Sequence, residues 1–427
     1  MAPQRKSIVV IGAGIVGMTS ALALQKAGHE VRVVDPGSPG GRQSASYGHG
    51  AWINPASIMP TSLPGLWKQV PAMMRDPVGP FYVSKFDIIR HMPWLLRFLH
   101  AGMTWEKVET VARQRYILCQ GSVDYHYAQA REAGVEDMIA REGLVTAFRS
   151  RDTFAKGQRD AALRRSLGIE LGELDQAALR LREPDLDPAY TFGSVVREGA
   201  YLADTSGYVR ALSRLLVANG GEVINSRALD FEFLGERLVA IRTDNSRVDC
   251  DTAVIAAGAH SKDLAARVGD KVSMASERGY HVGISGASVG PRHSVILADG
   301  KVAISRQPGG FRVAGQVELA PVAKAPNWAR AEIMLHHARK AFPMLDLDAP
   351  GVRIDRWMGH RPSTPDALPV IGRSRLSPHV IHAFGHGHAG PSMAPATARF
   401  VTDLVEGREP GQMLSECSPR RFSRFLR

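Results

Sequence analysis

Residues 381–390, with the sequence IHAFGHGHAG, carry three histidines, and a fourth, His379, lies two residues upstream. Such a density of imidazoles suggests a metal site, because zinc is bound by three or four convergent nitrogen or sulfur ligands. However, His379 and His382 fall before and within a short apolar run, VIHAF, that predicts a strand, whereas His386 and His388 follow it. The four side chains are therefore not expected to converge, and the sequence predicts no metal site.

The same segment holds Gly385, Gly387 and Gly390, followed by a predicted helix, APATARFVTDLVEG. Glycines allow a tight turn with exposed backbone N–H groups. The N-terminal end of the helix would point its positive dipole at the same place. We therefore interpret the segment as a backbone loop that binds a ligand, whose nature depends on the other end of the chain.

The N-terminal segment has the spacing of a dinucleotide-binding turn. The apolar run SIVVI predicts a buried parallel strand, and GAGIVG follows with Gly12, Gly14 and Gly17 in GxGxxG spacing. A helical segment then leads to a second strand, VRVV, that ends at Asp35, 23 residues beyond Gly12. The glycines allow the turn, the approach of a pyrophosphate and close packing of helix on strand, and the acid accepts hydrogen bonds from a ribose. This motif alone leaves NAD and FAD both open.

Composition excludes several classes of protein. The 427 residues are typical of two domains, and 53 basic against 42 acidic residues give a net charge of +11. The excess is spread along the chain and no nucleic-acid recognition motif accompanies it, so we expect no nucleic-acid partner. Three widely spaced cysteines indicate neither a disulfide framework nor a zinc knuckle. No apolar run is long enough to span a membrane.

The elements that position these motifs alternate between strands and helices, which predicts an α/β fold. A further apolar strand, in DTAVIAAGAHS, ends at Ala257 and Gly258. Residues 86–100, FDIIRHMPWLLRFLH, form a predicted amphipathic helix. One interpretation is a core helix of a second domain. The other is peripheral membrane contact through the apolar residues Trp94, Leu95, Leu96 and Phe98, with Arg90 and Arg97 beside them.

Several motifs now coincide in order: GAGIVG with Asp35, a Ser/Gly-rich loop soon after it, AAGAHS near residue 260, and GHRPSTPDALPVIG followed by FGHGHAG near the end. This pattern resembles the FAD-dependent D-amino-acid oxidase superfamily, and within it the bacterial D-amino-acid dehydrogenases. The resemblance covers almost the whole chain and is weakest between about residues 100 and 180. It implies a Rossmann-like FAD-binding domain and a second, discontinuous α+β substrate domain of sheet and helices. The predicted boundaries are 1–55, 192–265 and 355–427 for the FAD-binding domain, and 56–191 and 266–354 for the substrate domain.

The resemblance also implies non-covalent FAD, because residues 355–395 contain no cysteine at the position where sarcosine-oxidase relatives attach the flavin. The run SYGHGAWINP is similar to the family's Ser-x-x-Asn-x-Gly-x-x-x-Pro, with His49 and Ala51 departing from it. The glycines of the C-terminal loop would hold the flavin edge on which negative charge builds on reduction. The predicted cofactor-binding residues are Gly12, Gly14, Gly17, Asp35, Arg42, Ser46, His49, Gly50, Ala257, Gly258, Gly385, Gly387 and Gly390.

Oxidation of an amino acid by a flavin transfers a hydride from Cα to flavin N5 and needs orientation of the substrate more than a strong base. We therefore expect no acid or base among the catalytic residues. In similar enzymes the arginine of a Gly-x-Arg-Pro run binds the substrate carboxylate, and here that residue is Arg361. Tyr280 would donate to the carboxylate or wall the pocket, or else belong to the core. His281 would face away from the pocket. His386 would touch substrate or flavin, and His388 is interpreted as incidental.

The resemblance thus implies a D-amino-acid dehydrogenase that takes a small amino acid as substrate and passes electrons to a quinone or other carrier. The expected location is the cytoplasm, with peripheral contact to the inner face of the cell membrane as the further alternative. A second hypothesis is an oxidase or dehydrogenase of a secondary amine such as glycine, sarcosine or a D-proline derivative. A third, an RNA-modification enzyme with a similar flavin domain, rests only on the net charge.

Overall fold

The computed structural model describes residues 5–76, 78–408 and 411–426. Its strands, in chain order, are β1 (Ser7–Ile11), β2 (Glu30–Asp35), β3 (Trp52–Ile53), β4 (Phe81–Val83), β5 (Ile139–Ala140), β6 (Leu144–Phe148), β7 (Leu171–Leu174), β8 (Phe192–Val196), β9 (Ala200–Leu202), β10 (Glu222–Asn225), β11 (Ala228–Leu234), β12 (Arg237–Thr243), β13 (Arg247–Asp249), β14 (Thr252–Ile255), β15 (Ala275–Ser285), β16 (Val295–Leu297), β17 (Val302–Gln307), β18 (Gly310–Leu319), β19 (Arg353–Ser363), β20 (Val370–Arg373) and β21 (Val380–Phe384).

The α-helices, in chain order, are α1 (Ile15–Lys26), α2 (Leu66–Arg75), α3 (Lys85–Ala101), α4 (Trp105–Cys119), α5 (Ser122–Glu132), α6 (Arg151–Ala155), α7 (Gln158–Ser166), α8 (Gln176–Arg182), α9 (Thr205–Ala218), α10 (Ser261–Arg267), α11 (Ala329–Ala341), α12 (Gly390–Val405) and α13 (Gly411–Cys417). The predicted α/β class is confirmed. In the described part of the chain, no helix has the length and apolar character needed to cross a membrane.

A six-stranded sheet collects strands from both ends and the middle of the chain. Its order is β10-β2-β1-β14-β21-β20, parallel except for the antiparallel β20. The strands are continuous apolar runs because helices cover one face and the small β11-β12-β13 sheet packs near the other. Parallel pairing brings the carboxyl ends of β1, β2, β14 and β21 to one edge of the sheet. The motifs that follow these strands therefore meet there, as is typical of cofactor sites in open α/β sheets.

A nine-stranded mixed sheet, in the order β19-β15-β18-β17-β16-β6-β8-β7 with β4 paired to β18, forms the second layer. The strands β15 and β19 pair over eleven residues. Alternate residues of β15 such as Tyr280, Val282 and Ile284 pack into a core with α11. The other face of the sheet is not covered by α11 and faces the carboxyl edge of the six-stranded sheet.

Two strands and two helices pack with the other domain from the one to which the predicted boundaries assign them. The strands β8 and β19 belong to the nine-stranded sheet, although residues 192–265 and 355–427 were assigned to the FAD-binding domain. Conversely, Leu118, Cys119 and Val123 of α4 and α5 pack into the core that contains β1 and α12. Burial of these apolar side chains joins the two helices to the cofactor side of the molecule.

One buried histidine ties this helical layer together. His126 of α5 is fully buried, and its two ring nitrogens lie 2.9 Å from the Tyr208 hydroxyl of α9 and 2.8 Å from the Pro391 carbonyl oxygen at the start of α12. Burial lowers the pKa of His126 to about 4. The imidazole is therefore neutral at physiological pH and couples three helices near the C-terminal loop.

Most of the α3 residues that were considered for membrane contact are turned toward the core of the protein. Trp94 is buried against Val83, Ala275 and Leu319, and Leu95 and Phe98 pack against the same cluster. The apolar side chains that α3 exposes are Phe86, Ile89, Met92 and Leu96. Trp94, Leu95 and Phe98 are thus core residues, as the first interpretation has it, and of the four apolar residues proposed for membrane contact Leu96 alone is exposed.

Candidate active site

A cavity of about 680 Å3 extends from the carboxyl edge of the six-stranded sheet to the open face of the nine-stranded sheet. That volume is in the range of sites for cofactors and drug-sized ligands. Its lining comes from the dinucleotide motif with residues 43–46, 48–50 and 256–260, from the sheet at Gly279, Ala303, Ala314, Gly315, Gly359 and Arg361, and from the C-terminal loop at His386, Gly387, His388 and Gly390. The predicted motifs therefore border one cavity.

The turn after β1 packs tightly against β14 and α1 because its glycines carry no side chain. A Cβ on Gly12 would lie 2.4 Å from the Ala256 carbonyl oxygen, and a Cβ on Gly17 would lie 1.9 Å from the Gly12 carbonyl oxygen. Gly14 caps the N-terminus of α1, where the Ile15 N–H donates to the Ser46 hydroxyl at 3.0 Å. The positive end of α1 and the Ser46 hydroxyl thus lie together at the cavity, as an anion site requires.

Asp35 lies at the end of β2 on the cavity wall. One carboxylate oxygen accepts the Ala13 N–H at 2.8 Å, and the other accepts the Gly37 N–H at 2.9 Å. The second oxygen also accepts from Gln43 Nε2 at 3.2 Å. These bonds fix the carboxylate, and the oxygen that accepts from Ala13 keeps a lone pair for a ribose hydroxyl donor. The turn, the helix terminus and this carboxylate fit the adenosine-diphosphate half of FAD.

His49 forms the wall between this half of the cavity and the nine-stranded sheet. Its Nε2 lies 2.9 Å from the His388 carbonyl oxygen, while the buried Nδ1 has no hydrogen-bond partner within the described part of the chain. Burial lowers the pKa of His49 to about 4, and the positive charges of Arg361 and Arg312 lower it further. Nδ1 is therefore a neutral acceptor left for a bound group, which fits a cofactor beside it. The adjacent Ala51 has a φ of 68°, a left-handed conformation at the position where the family pattern has glycine.

Arg42 does not have the predicted role in binding the cofactor. Its guanidinium donates to the Asp355 carboxylate at 2.7 Å and to the Arg356 carbonyl oxygen at 2.7 Å, and the side chain is not part of the cavity wall. Hydrogen bonding to Asp355 raises the pKa of Arg42. The ion pair with a residue 313 positions away holds the guanidinium on the surface.

The three glycines of the C-terminal loop have different structural roles. The Gly387 N–H, predicted to face the flavin, donates instead to the Pro362 carbonyl oxygen at 2.9 Å and fastens the loop to β19. Gly385, with a φ of 86°, makes the turn behind the cavity wall and does not line it. Gly387 and Gly390 do line the cavity. Gly385 therefore shapes the loop and does not contact the cavity, and the Gly387 N–H is already used in the hydrogen bond to Pro362, contrary to the prediction that both face the flavin.

His382, His386 and His388 lie in different surroundings and share no hydrogen-bond partner among the described residues. His382 is buried with its Nε2 2.9 Å from Asp270, and the Nε2 of His386 lies 2.9 Å from the Thr397 hydroxyl. His388, which was interpreted as incidental, lines the cavity. It is open to the cavity yet deep within the protein, and burial lowers its pKa to about 3, as it does for His386. Across residues 5–76, 78–408 and 411–426 no three His, Cys, Asp or Glu side chains converge on a metal position.

Arg361 lies at the far end of the cavity from the dinucleotide motif. Its guanidinium crosses Gly279 and donates to the Gln316 carbonyl oxygen at 2.9 Å and to the Gly315 carbonyl oxygen at 3.4 Å. A Cβ on Gly279 would lie 2.3 Å from the guanidinium, so the glycine provides the path. Burial lowers the pKa of Arg361, while the Glu277 carboxyl raises it, and an arginine stays charged at neutral pH.

Tyr280 borders the cavity, but its hydroxyl does not reach into it. The hydroxyl donates to the Glu318 carboxylate and accepts the Asn327 N–H at 3.0 Å, among the core residues under α11. Burial raises the pKa of Tyr280 to about 12, and the hydrogen bond to Glu318 adds to the effect. The structure favours the core alternative for Tyr280. His281, on the opposite face of β15, stacks on Trp357 with ring centroids 4.9 Å apart and does not line the cavity.

Sequence reasoning missed several residues of the wall, among them Trp357 and Lys301. Neither belongs to a recognisable motif, and both line the cavity because of the register of β19 and of the β16–β17 hairpin. Their positions depend on which face of the sheet is covered by α11, a property that no local pattern in the sequence reveals. None of the three buried cysteines, Cys119, Cys250 and Cys417, lines the cavity.

Comparisons with known proteins agree with this geometry. Residues 7–404 match the model of the family described as "DAO: FAD dependent oxidoreductase". The chain is 42% identical to a D-amino-acid oxidase of Bradyrhizobium diazoefficiens, over 98% of this chain and 100% of that protein. It is 29% identical to a D-amino acid dehydrogenase of Paramagnetospirillum magneticum, over 98% and 99% of the two chains.

Among solved structures, glycine oxidase from Geobacillus kaustophilus has a TM-score of 0.72 at 19% identity, with 98% of this chain and 99% of that chain covered. L-proline dehydrogenase from P. horikoshii has a TM-score of 0.70 at 18% identity, with 99% of both chains covered. These likenesses show the fold. Together with the fit of the turn, Asp35 and His49 to the cofactor, the family match over residues 7–404 establishes that the chain belongs to the DAO family of FAD-dependent oxidoreductases.

Proposed function

We propose that this protein oxidises a D-amino acid to the imino acid, which water hydrolyses to the 2-oxo acid, and passes the electrons to a quinone or another acceptor. The observation that carries the proposal is the buried guanidinium of Arg361 at the end of the cavity opposite the dinucleotide turn. The D configuration is supported by relatives named D-amino-acid oxidase and D-amino acid dehydrogenase over nearly the whole chain.

In this proposal the chain binds and orients the substrate, and bound FAD accepts the hydride from Cα. Arg361 uses some of its N–H groups on the carbonyl oxygens of Gln316 and Gly315, and the others remain for the substrate carboxylate. Because the two carbonyl bonds fix the plane of the guanidinium, the carboxylate is held in one orientation.

His360 and His386, which line the cavity, stay neutral in this proposal. Burial lowers the pKa of His360 to about 4 and that of His386 to about 3, so neither adds a positive charge that would compete with Arg361 for the carboxylate. The amine must be neutral for hydride loss, and we propose that it reaches that form without a protein base. FAD is proposed to be held without a covalent bond.

The test is anaerobic reduction of the purified yellow protein by matched D- and L-amino acids, by glycine and by sarcosine. The proposal expects loss of the oxidised flavin absorbance near 450 nm with at least one D-amino acid and not with its L enantiomer. Bleaching by sarcosine or glycine alone would favour the secondary-amine alternative, and bleaching by none of these compounds would refute the proposal.

The 42% identity to a protein named D-amino-acid oxidase favours a second candidate, in which oxygen is the electron acceptor. The two candidates differ in the product formed under air. Stoichiometric hydrogen peroxide, measured with a peroxidase-coupled dye, identifies an oxidase. Turnover that needs an added quinone and releases no peroxide identifies a dehydrogenase.

We further propose that the exposed face of α3 contacts the inner surface of the cell membrane. Phe86 is 88% exposed, Ile89 76% and Leu96 60%, and these side chains lie on one side of the helix near Lys85 and Arg90. Co-sedimentation with vesicles that contain anionic lipid tests this, with F86S/I89S as the variant. Sedimentation of the wild type at the level of the double variant would contradict the contact.

A further inference from the structure

A lysine of the second sheet shares the substrate end of the cavity with Arg361. Ala303 of β17 lines the cavity while Val302 and Ile304 pack into the core, so the odd-numbered residues of this strand face the cavity. Lys301, in the turn immediately before β17, also lines the cavity. Its φ of 50° is a left-handed conformation that is uncommon for a side chain other than glycine and is frequent at binding sites.

The register brings Lys301 and Arg361 to the same strand from opposite sides. Ala303 pairs with Ala314, so Lys301 falls beside the segment Gly315–Gln316 of β18. Arg361, from β19, reaches across β15 and donates to the carbonyl oxygens of that same segment. Both side chains therefore line the cavity beside the same short segment of β18.

Lys301 has no hydrogen bond or ion pair with any residue that the structure describes. The nearby Asp299 is already bound by Arg149 at 2.7 Å and by Lys340 at 3.4 Å. Among the described residues, the acids that line the cavity are Asp35 and Asp263, which lie on the dinucleotide side after β2 and in α10. Glu277, whose carboxyl interacts with Arg361, is buried, accepts a hydrogen bond from the Ser363 hydroxyl at 2.8 Å and does not line the cavity. At the substrate end, the cavity wall among the described residues therefore carries two cations and no carboxylate.

We propose that the site prefers amino acids whose side chain ends in a carboxylate, with Arg361 holding the α-carboxylate and Lys301 the side-chain carboxylate. Lys301 is exposed, so a substrate with a neutral side chain leaves it hydrated and forgoes the charge-assisted hydrogen bond that a second carboxylate would accept. Ala303, Ala314 and Gly279 leave the wall between the cations free of large side chains. This inference rests on the proposed function, because it names the substrate class for the same site.

Binding to the FAD-loaded, oxidised protein tests the lysine without requiring turnover. The ligands are glutarate and glutaramate, which have the same length and differ in one carboxylate, and the readout is the perturbation of the flavin spectrum. Glutarate should bind at least tenfold more tightly, about 1.4 kcal/mol. K301M should reduce this preference to less than threefold. The control K340M, at a lysine paired with Asp299 outside the cavity wall, should keep it.

Turnover supplies the second comparison, D-glutamate against D-glutamine. The ratio of kcat/KM for the two substrates should exceed ten in the wild type, fall at least tenfold in K301M and stay within twofold in K340M. Equal binding of glutarate and glutaramate by the wild type, or equal effects of the two variants, would overturn the inference. If no amino acid reduces the flavin, the proposed function fails, whereas the binding comparison still decides the role of Lys301.

Discussion

Replacement of Arg361 by alanine removes the group on which the substrate assignment depends. A hydrogen bond to a charged group contributes about 1.5–3 kcal/mol, and the guanidinium offers a paired contact to one carboxylate. A loss of about 3 kcal/mol corresponds to a decrease of roughly 150-fold in kcat/KM. The decrease should fall mainly on KM, because the carboxylate is bound both before and during hydride loss. Arg361→Lys keeps the charge without the planar pair of donors and should recover only part of the loss.

The assay is steady-state kinetics with the best D-amino acid, together with the rate of flavin reduction at saturating substrate. Arg42→Ala is the matched control, because it removes a surface guanidinium that pairs with Asp355 and should change kcat/KM by less than twofold. Loss of the bonds to the carbonyl oxygens of Gln316 and Gly315 also lowers stability, so the flavin content and melting temperature of each variant must be recorded. A KM for R361A within threefold of the wild type, in a protein that retains its flavin, would refute the reasoning.

Three further predictions follow from close approaches and buried groups. Gly279→Ala should fold, because its Cβ, 2.3 Å from the guanidinium, would displace only the flexible end of Arg361. The variant keeps the charge of Arg361 but misplaces it, so KM should rise about tenfold. An unchanged KM in steady-state kinetics would show that the position of the guanidinium over Gly279 is unimportant. Gly12→Ala places a methyl group 2.4 Å from the Ala256 carbonyl oxygen at a φ of 113°, so the purified variant should lack flavin absorbance; a normal ratio of absorbance at 450 and 280 nm would contradict the turn geometry. The pKa of His126, lowered to about 4, makes the native state bind fewer protons than the unfolded state, so the contribution of this residue to stability should be constant above pH 6.5 and fall by roughly 1.4 kcal/mol per pH unit as the pH decreases toward 4. The other buried histidines with lowered pKa values add to the total decrease. Urea unfolding should therefore show a decrease that is smaller by this amount in His126→Asn, and equal slopes in both proteins would exclude a contribution from this histidine.

Local spacing predicted the parts of the site that depend on local backbone. GAGIVG, Asp35 and the strand before Ala257 follow directly from turn and strand patterns, and they bring Gly12, Gly14, Asp35 and Ala257 to the cavity wall, whereas Gly17 packs behind it. Local patterns did not predict which face of the nine-stranded sheet is buried. Alternation along β15 indicates that Tyr280 and His281 face opposite sides, but the packing of α11 decides which side is the core.

Long-range partners account for the remaining differences. Arg42 is held by Asp355, which lies 313 positions away and is invisible to any pattern around residue 42. The phase of α3 is set in the same way, because the burial of Trp94 against Ala275 and Leu319 turns Phe86 and Ile89 outward. Lys301 was missed because a single lysine in a turn carries no motif, and only the register of β17 with β18 brings it to the substrate end.

The strand order of the six-stranded sheet has a consequence for biosynthesis. The central strand β1 pairs with β14, so that Ile8 lies beside Thr252, and β14 in turn pairs with β21 through Ala253 and Val380. During synthesis, β1 therefore gains its second neighbour, β14, only after more than half of these residues have been made. The loop that closes the cavity is synthesised near the end. Sequence separations of this size slow folding, and a chain stopped before β21 exposes an apolar sheet edge that favours aggregation. Cofactor loading is thus a late event that requires β21 and the loop after it.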